Sequence, residues 1–114
     1  MEVPMIGSET VRCVAVNGRF DAQRVRATDR HIQAALQQTA NLIIDLSGAH
    51  FVDSAALALL MRTMNQCRLA GGDLRVCGVQ PRVRYVFELT RLDRVFTFFP
   101  NREAALESFA RMRE

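Results

Sequence analysis

The polar pair Asp53-Ser54 stands between an apolar segment and the start of a helical stripe of apolar residues. An aspartate in that place is typical of a helix N-cap, which accepts a backbone N–H group from the first turn. Ser54 is then either a small residue of that turn or a nucleophile. The G-x-S-x-G elbow is missing, and nothing marks a histidine as the paired base. We therefore do not expect this chain to be an enzyme.

Residues that bind metals or phosphates elsewhere are not spaced for that chemistry here. His31 and His50 have no nearby cysteine or carboxylate at the spacing of a zinc site. Neither Gly-rich phosphate-binding pattern occurs, and Gly71-Gly72 precedes a strand-like segment instead of opening a helix. The sequence thus predicts no metal ion and no cofactor on this chain.

The cysteines indicate in which cellular compartment the protein is found. Cys13, Cys67 and Cys77 are odd in number, widely spaced and flanked by apolar residues, a pattern typical of buried free thiols in a reducing environment. No apolar run approaches the roughly 20 residues that cross a bilayer, and the N-terminus lacks the layout of a signal peptide. We expect a cytoplasmic protein with no direct membrane insertion.

The length and the charge of the chain limit the number of domains and the kinds of partner to expect. The chain has 114 residues, of which 49% are hydrophobic and 24% charged, and this predicts one globular domain over residues 1–114. All fifteen basic residues are arginines, and the formal charge is +3. Because the arginines are spread from Arg12 to Arg113 and no DNA or RNA module signature accompanies them, nucleic-acid binding is not expected.

Strand-like and helix-like periods alternate along the chain. The predicted strands are residues 10–17, 41–46, 73–77 and 96–98, with residues 3–6 as an edge strand beside the first. The predicted helices are residues 22–39, a segment from Asp53 to Gly71-Gly72, one opened by Pro81, and one from Asn101 through Met112. Residues 47–52 are predicted to form a loop.

This order of elements, ββαβαβαβα, predicts how the strands and helices are arranged. Strands separated by helices of ten or more residues pair in parallel through right-handed crossovers. The sequence therefore predicts an α/β sandwich with a mostly parallel mixed sheet of about five strands and about four helices. Sites on such sheets lie beyond the carboxyl ends of the strands, here residues 18–21 and 47–54.

Several short motifs, in this order and spacing, resemble one family over nearly the whole chain. Asp53-Ser54, followed by small residues and Leu57, opens a helix that ends in Gly71-Gly72. The other matching segments are G-x-x-D at residues 18–21, the strand at 41–46, the turn at 71–74 and the helix and turn at 81–92. Together they are similar to the STAS domain of bacterial anti-sigma factor antagonists, which implies a STAS-like sandwich.

The resemblance implies a regulatory role in transcription and stress response. In the family, the serine after the aspartate is phosphorylated by a partner kinase that is itself the anti-sigma factor, and Ser54 holds that position. ATP and Mg²⁺ would be bound by that kinase only, and a phosphatase is a further expected partner. Asp53 would orient Ser54, and Asp21 would contribute to the docking surface. Ala55 and Ala56 stand where the family usually has Ser or Thr and then Gly.

Two other functions remain open from the sequence. One is a STAS adaptor, a subunit of a transporter or signalling complex that docks through the same face without phosphorylation; Ala55-Ala56 favours it. The other is a module that binds a small ligand or a nucleotide, for which the sequence displays no concave polar site.

Overall fold

Strands and helices alternate along the chain, and the computed structural model describes residues 5–6 and 9–111. The strands are β1 (Met5–Ile6), β2 (Glu9–Ala15), β3 (Gly18–Phe20), β4 (Asn41–Asp45), β5 (Ala49–Val52), β6 (Asp73–Cys77) and β7 (Phe98–Phe99). The helices are α1 (Ala22–Leu36), α2 (Ser54–Leu69), α3 (Pro81–Leu89) and α4 (Arg102–Arg111), with a 3₁₀ turn at Leu92–Arg94. None of these helices is both long and apolar enough to cross a membrane within the described residues.

The main sheet has five strands in the order β1-β2-β4-β6-β7. The β1–β2 pair is antiparallel, and the other three pairs are parallel. The predicted α/β architecture with a mostly parallel sheet is therefore confirmed. Of the predicted edge strand at residues 3–6, Met5–Ile6 forms β1, and residues 3 and 4 lie outside the described residues.

Strand β4 is buried on both faces, as its continuous apolar run predicts. Leu42 and Ile44 belong to the larger core cluster, which α1, α2 and α3 cover with residues such as Ile32, Leu60 and Phe87. On the opposite face Ile43 packs in a smaller cluster under α4, together with Val11, Cys13, Cys77, Ala105 and Phe109. The result is a sheet between a layer of three helices and one helix.

One prediction is wrong in a way that matters for the site. Residues 47–52 do not form only a loop, because Ala49–Val52 is strand β5, which pairs in parallel with β3 as a second, two-stranded sheet. Each strand is only three or four residues long, too short to show a period in the sequence. The predicted order ββαβαβαβα therefore lacks these two strands.

Smaller corrections concern where elements end. Helix α1 stops at Leu36 instead of residue 39, since the Thr39 hydroxyl donates to the Thr10 carbonyl and accepts from the Asn41 amide, turning the chain into β4. The last strand is Phe98–Phe99, while Phe96 is a core residue outside it. Asn101 caps α4 as predicted. Met112 lies outside the described residues.

The three cysteines are buried, and none of them forms a disulfide bond with another described residue, as predicted. Burial raises the pKa of Cys67 to about 12, and burial also raises that of Cys77 to about 12, so both thiols are unreactive at neutral pH.

An ion pair between a buried carboxylate and a half-buried arginine joins β4 to α4. Arg102 Nε lies 2.7 Å from Asp45 Oδ2, and the Ser47 amide donates to Asp45 Oδ1 at 2.9 Å. Burial alone would raise the pKa of Asp45, but the bonds from Ser47 and Arg102 outweigh burial and hold that pKa below its ordinary value. A carboxyl of this kind stabilises the fold at pH values above its ordinary pKa. This contribution is lost as the pH falls through the lowered pKa of the folded state.

We expect Arg102→Met to lower the free energy of unfolding by about 2 kcal/mol at neutral pH, because the buried Asp45 carboxylate loses its cation. The loss should shrink as the pH falls below the ordinary aspartate pKa of about 3.9, where Asp45 becomes protonated. Urea unfolding followed by circular dichroism at several pH values measures the loss and its dependence on pH. A loss that does not depend on pH would contradict the role of this ion pair.

Candidate functional site

The candidate site is built from two similar units that lie side by side. Strand β3 is followed by Asp21 and α1, and strand β5 is followed by Asp53 and α2. Phe20 pairs with Val52 in the two-stranded sheet, and the Asp53 amide donates to the Phe20 carbonyl at 3.3 Å. The two helices therefore begin next to each other at one edge of the molecule.

Asp53 is the N-cap of α2, as its place in the sequence predicts. Its Oδ1 accepts from the Ala56 amide at 3.0 Å, which satisfies one of the free N–H groups of the first turn. Its Oδ2 accepts from the Ala22 amide of α1 at 2.9 Å. One carboxylate thus fixes the starts of two helices relative to each other, and the sequence does not reveal this second bond.

Asp21 has the corresponding role on α1 but with one fewer bond to the backbone. Its Oδ1 accepts from the Gln23 amide at 3.1 Å, and its Oδ2 lies 3.4 Å from Arg19 Nε. The Arg19 guanidinium also stacks over the Phe51 ring, 3.9 Å from the ring centroid. Arg19 and Phe51 could not be identified from the sequence, because their contact depends on the pairing of β3 with β5, which the sequence did not predict.

Ser54 is the first residue of α2, and it is exposed. Its hydroxyl stands at a helix N-terminus, where unbonded N–H groups and the helix dipole favour a negative charge. Ala55 is half-buried, and Ala56 is fully buried with its amide bonded to Asp53. The structure brings together all the predicted site residues, which are Asp21, Asp53, Ser54, Ala55 and Ala56.

We expect Asp53→Ala to lower the free energy of unfolding by about 2 kcal/mol, because both the Ala56 and the Ala22 amide lose their acceptor. Asp21→Ala is the matched control: it removes a cap with one backbone bond and should cost about 1 kcal/mol. Urea unfolding followed by circular dichroism compares the two. Equal losses would show that the bond to Ala22 does not stabilise the fold.

The profile of the STAS domain matches residues 2–105 of this chain. The chain belongs to the STAS domain family. A Bordetella bronchiseptica protein named as an anti-sigma factor antagonist, BtrV, is 32% identical to it over 68 residues, which are 60% of this chain and 59% of that protein. The aligned part thus spans less than two thirds of that relative's length.

Solved structures share the fold of this STAS domain. An anti-sigma factor antagonist from Mycobacterium paratuberculosis superposes with a TM-score of 0.77 and 29% identity, covering 94% of this chain and 90% of that one. The anti-sigma factor antagonist SpoIIAA in its unphosphorylated form has a TM-score of 0.66 and 21% identity, covering 98% and 96%. SpoIIAA of Bacillus in the phosphorylated form also has a TM-score of 0.66 and 21% identity, and the superposition covers 95% of this chain and 97% of that one.

Proposed function

We propose that this STAS domain is an anti-sigma factor antagonist that works by partner switching. In its unmodified form it binds an anti-sigma factor of the serine-kinase type and frees the sigma factor. Phosphorylation of Ser54 by that kinase ends the binding, and a phosphatase restores it. The family membership and the name of the Bordetella relative support the general role. That SpoIIAA, a protein of the same fold, has been solved with and without phosphate is consistent with a phosphorylation switch.

The observation that carries the proposal is the exposure of Ser54 at the first position of α2. A kinase reaches an exposed hydroxyl without unfolding its target. The helix N-terminus then favours the new phosphate, because the amides and the dipole there present partial positive charge. Modification therefore changes the surface of the domain and leaves its core unchanged.

The transfer needs only a hydroxyl from this chain. Ser54 Oγ forms a bond to the γ-phosphorus of ATP, the bond from that phosphorus to the β–γ bridging oxygen breaks, and ADP leaves. The serine proton passes to a base of the kinase or to water. ATP and Mg²⁺ are bound by the kinase. Asp53 and Asp21 act in this proposal by fixing the helix starts that present Ser54 to the partner.

The alanine at position 56 fits the proposal. Its methyl group is fully buried, and its amide is held by Asp53, so the start of α2 is regular. Ala55 offers no second hydroxyl beside Ser54. The departures from the family at positions 55 and 56 therefore leave the proposed acceptor, Ser54, in place.

The electrostatic effect of a phosphate is large enough for a switch. Phosphorylation adds about −1.5 to −2 charges at neutral pH. Two unit charges about 5 Å apart interact by about 3 kcal/mol at an effective dielectric constant of 20. Since every 1.4 kcal/mol changes a dissociation constant by about tenfold, the phosphate can weaken a nearby acidic contact about a hundredfold.

The experiment incubates the protein with the serine-kinase anti-sigma factor of the same genome, ATP and Mg²⁺, and follows the intact mass. We expect wild type to gain one phosphate, Ser54→Ala to gain none, and Ser47→Ala to behave as wild type. Ser47 is the control because it is an exposed serine on the loop after β4, outside a helix start. No phosphate on wild type, with a kinase that is shown to be active, would contradict the proposal and favour the adaptor.

A further inference from the structure

The positive charge of this chain is concentrated on two segments. Residues 19–36 and 53–69 hold six of the fifteen arginines and three of the twelve acidic residues. The remaining nine arginines are balanced by the remaining nine acidic residues. The whole formal excess of +3 therefore lies on the units that carry α1, α2 and Ser54.

Helices α1 and α2 contact each other at their starts and again further along, which brings some of these arginines to one side of the molecule. Arg68 is not one of them, because its Nε lies 3.2 Å from Asp73 Oδ1. The Ala22 amide contacts Asp53 at their starts, and Gln33 Nε2 donates to Gln66 Oε1 at 2.9 Å further along. Arg26 lies seven residues before Gln33, and Arg62 lies four residues before Gln66. Helical periodicity places both arginines on the flanks where the helices face each other.

The arginines of this surface are exposed, whereas its acidic groups are held by neighbours. Arg26, Arg30 and Arg62 are exposed, and none of the three forms an ion pair with any other residue in the part of the chain that is described. Two of the acidic groups, Asp21 and Asp53, cap the helices.

The third acidic group on these helices is Asp29. It is half-buried, and its Oδ1 accepts from Gln33 Nε2 at 3.1 Å. The surface formed by Arg26, Arg30, Arg62 and Ser54, which we call the basic face, therefore presents three exposed guanidinium groups to solvent, while its carboxylates are bonded to neighbours.

We propose that the basic face docks an acidic surface of the serine-kinase anti-sigma factor, and that a phosphate on Ser54 ends the binding by cancelling the positive charge of this face. This inference rests on the proposed function and adds the chemistry of the partner surface. Arg62 lies eight residues after Ser54, about 12 Å along the helix axis. This exceeds the Debye length of about 8 Å at physiological salt, so the field of a phosphate on Ser54 reaches Arg62 in weakened form there and more fully below about 0.1 M salt. A phosphate of about −2 offsets the larger part of the three positive charges of Arg26, Arg30 and Arg62.

The character of the surface favours a protein over nucleic acid or a lipid bilayer. Half-buried Met61 precedes exposed Arg62 on α2, and methionine and arginine are both enriched at protein interfaces. Three exposed arginines can make fewer phosphate contacts than the about 6–10 of a protein that binds DNA with strong salt dependence.

The test is the double variant Arg26→Glu/Arg62→Glu, with Arg94→Glu/Arg111→Glu as a matched control. All four side chains are exposed, and the control arginines lie on the 3₁₀ turn and on α4, outside the basic face. Titration calorimetry against the purified kinase with ADP and Mg²⁺ gives the dissociation constant, and circular dichroism checks that each variant is folded. We expect the test variant to raise that constant at least about a hundredfold and the control to change it less than about threefold.

Salt gives a second readout on the wild-type protein. Raising NaCl from about 50 mM to about 500 mM should weaken kinase binding by at least about tenfold, because charge attraction is screened. If Ser54→Glu abolishes binding while salt and the Arg26→Glu/Arg62→Glu variant have little effect, the inference is overturned and the proposed function stands. If wild type does not bind the kinase at all, both are overturned.

Vesicles containing phosphatidylserine and a random-sequence duplex DNA are the remaining probes. Binding of wild type to either of them, lost in the Arg26→Glu/Arg62→Glu variant while kinase binding is unchanged, would assign the basic face to that ligand instead and overturn the inference. No binding to either, together with the expected loss of kinase binding, supports it.

Discussion

Replacing Ser54 by Glu is expected to raise the dissociation constant for the serine-kinase anti-sigma factor at least about a hundredfold. The variant places a permanent negative charge at the head of α2, on the surface where the proposed switch acts. Ser54→Ala should bind as wild type does, because it removes the acceptor hydroxyl without adding charge. Titration calorimetry with the purified kinase measures both variants.

The control for this prediction is Thr97→Glu. Thr97 is exposed like Ser54, and the change adds the same charge, but it lies beside β7, outside α1 and α2. It should change the dissociation constant by less than about threefold. If Ser54→Glu and Thr97→Glu have equal effects, position 54 has no special role in binding.

Replacing Gly72 by Ala is expected to lower the free energy of unfolding by at least about 3 kcal/mol. A Cβ atom at this position would lie only 2.0 Å from the Ala40 carbonyl oxygen and 2.4 Å from the Ala40 carbonyl carbon. These are backbone atoms of the residue just before β4, so relief requires moving the main chain next to the central strand. Urea unfolding followed by circular dichroism measures the loss.

Gly71 is the matched control on the same turn. It has φ +89°, and a Cβ atom there meets nothing within 4 Å, so Gly71→Ala has the cost of a left-handed alanine alone, about 1–2 kcal/mol. The two variants change neighbouring glycines to the same residue and separate a steric cost from a conformational one. A larger loss for Gly71→Ala than for Gly72→Ala would contradict this account of the turn.

The elements with strong local signals could be predicted from the sequence. The continuous apolar run of β4 indicates a strand buried on both faces, and the structure confirms it. Helix α2 is bounded by a good N-cap at Asp53 and by Gly71-Gly72, so its limits follow from capping chemistry. Ser54 at the start of that helix follows from the same local pattern.

The parts of the site that the sequence did not reveal depend on contacts between distant residues. Strands β3 and β5 have three and four residues, too few for an alternating pattern, and each is stabilised by pairing with the other. The bond from Ala22 to Asp53 joins residues 31 positions apart. The arginines also appear dispersed along the sequence. Only the packing of α1 on α2 indicates that Arg26 and Arg62 lie on flanks that face each other.

The most direct test of partner switching reconstitutes it from purified components. The serine-kinase anti-sigma factor is bound to its sigma factor, and release of the sigma factor is followed by size-exclusion chromatography after this STAS domain is added. Unmodified protein should release the sigma factor, protein phosphorylated at Ser54 should not, and Ser54→Ala should continue to release it in the presence of ATP. Equal release by the phosphorylated and unmodified forms would contradict the account.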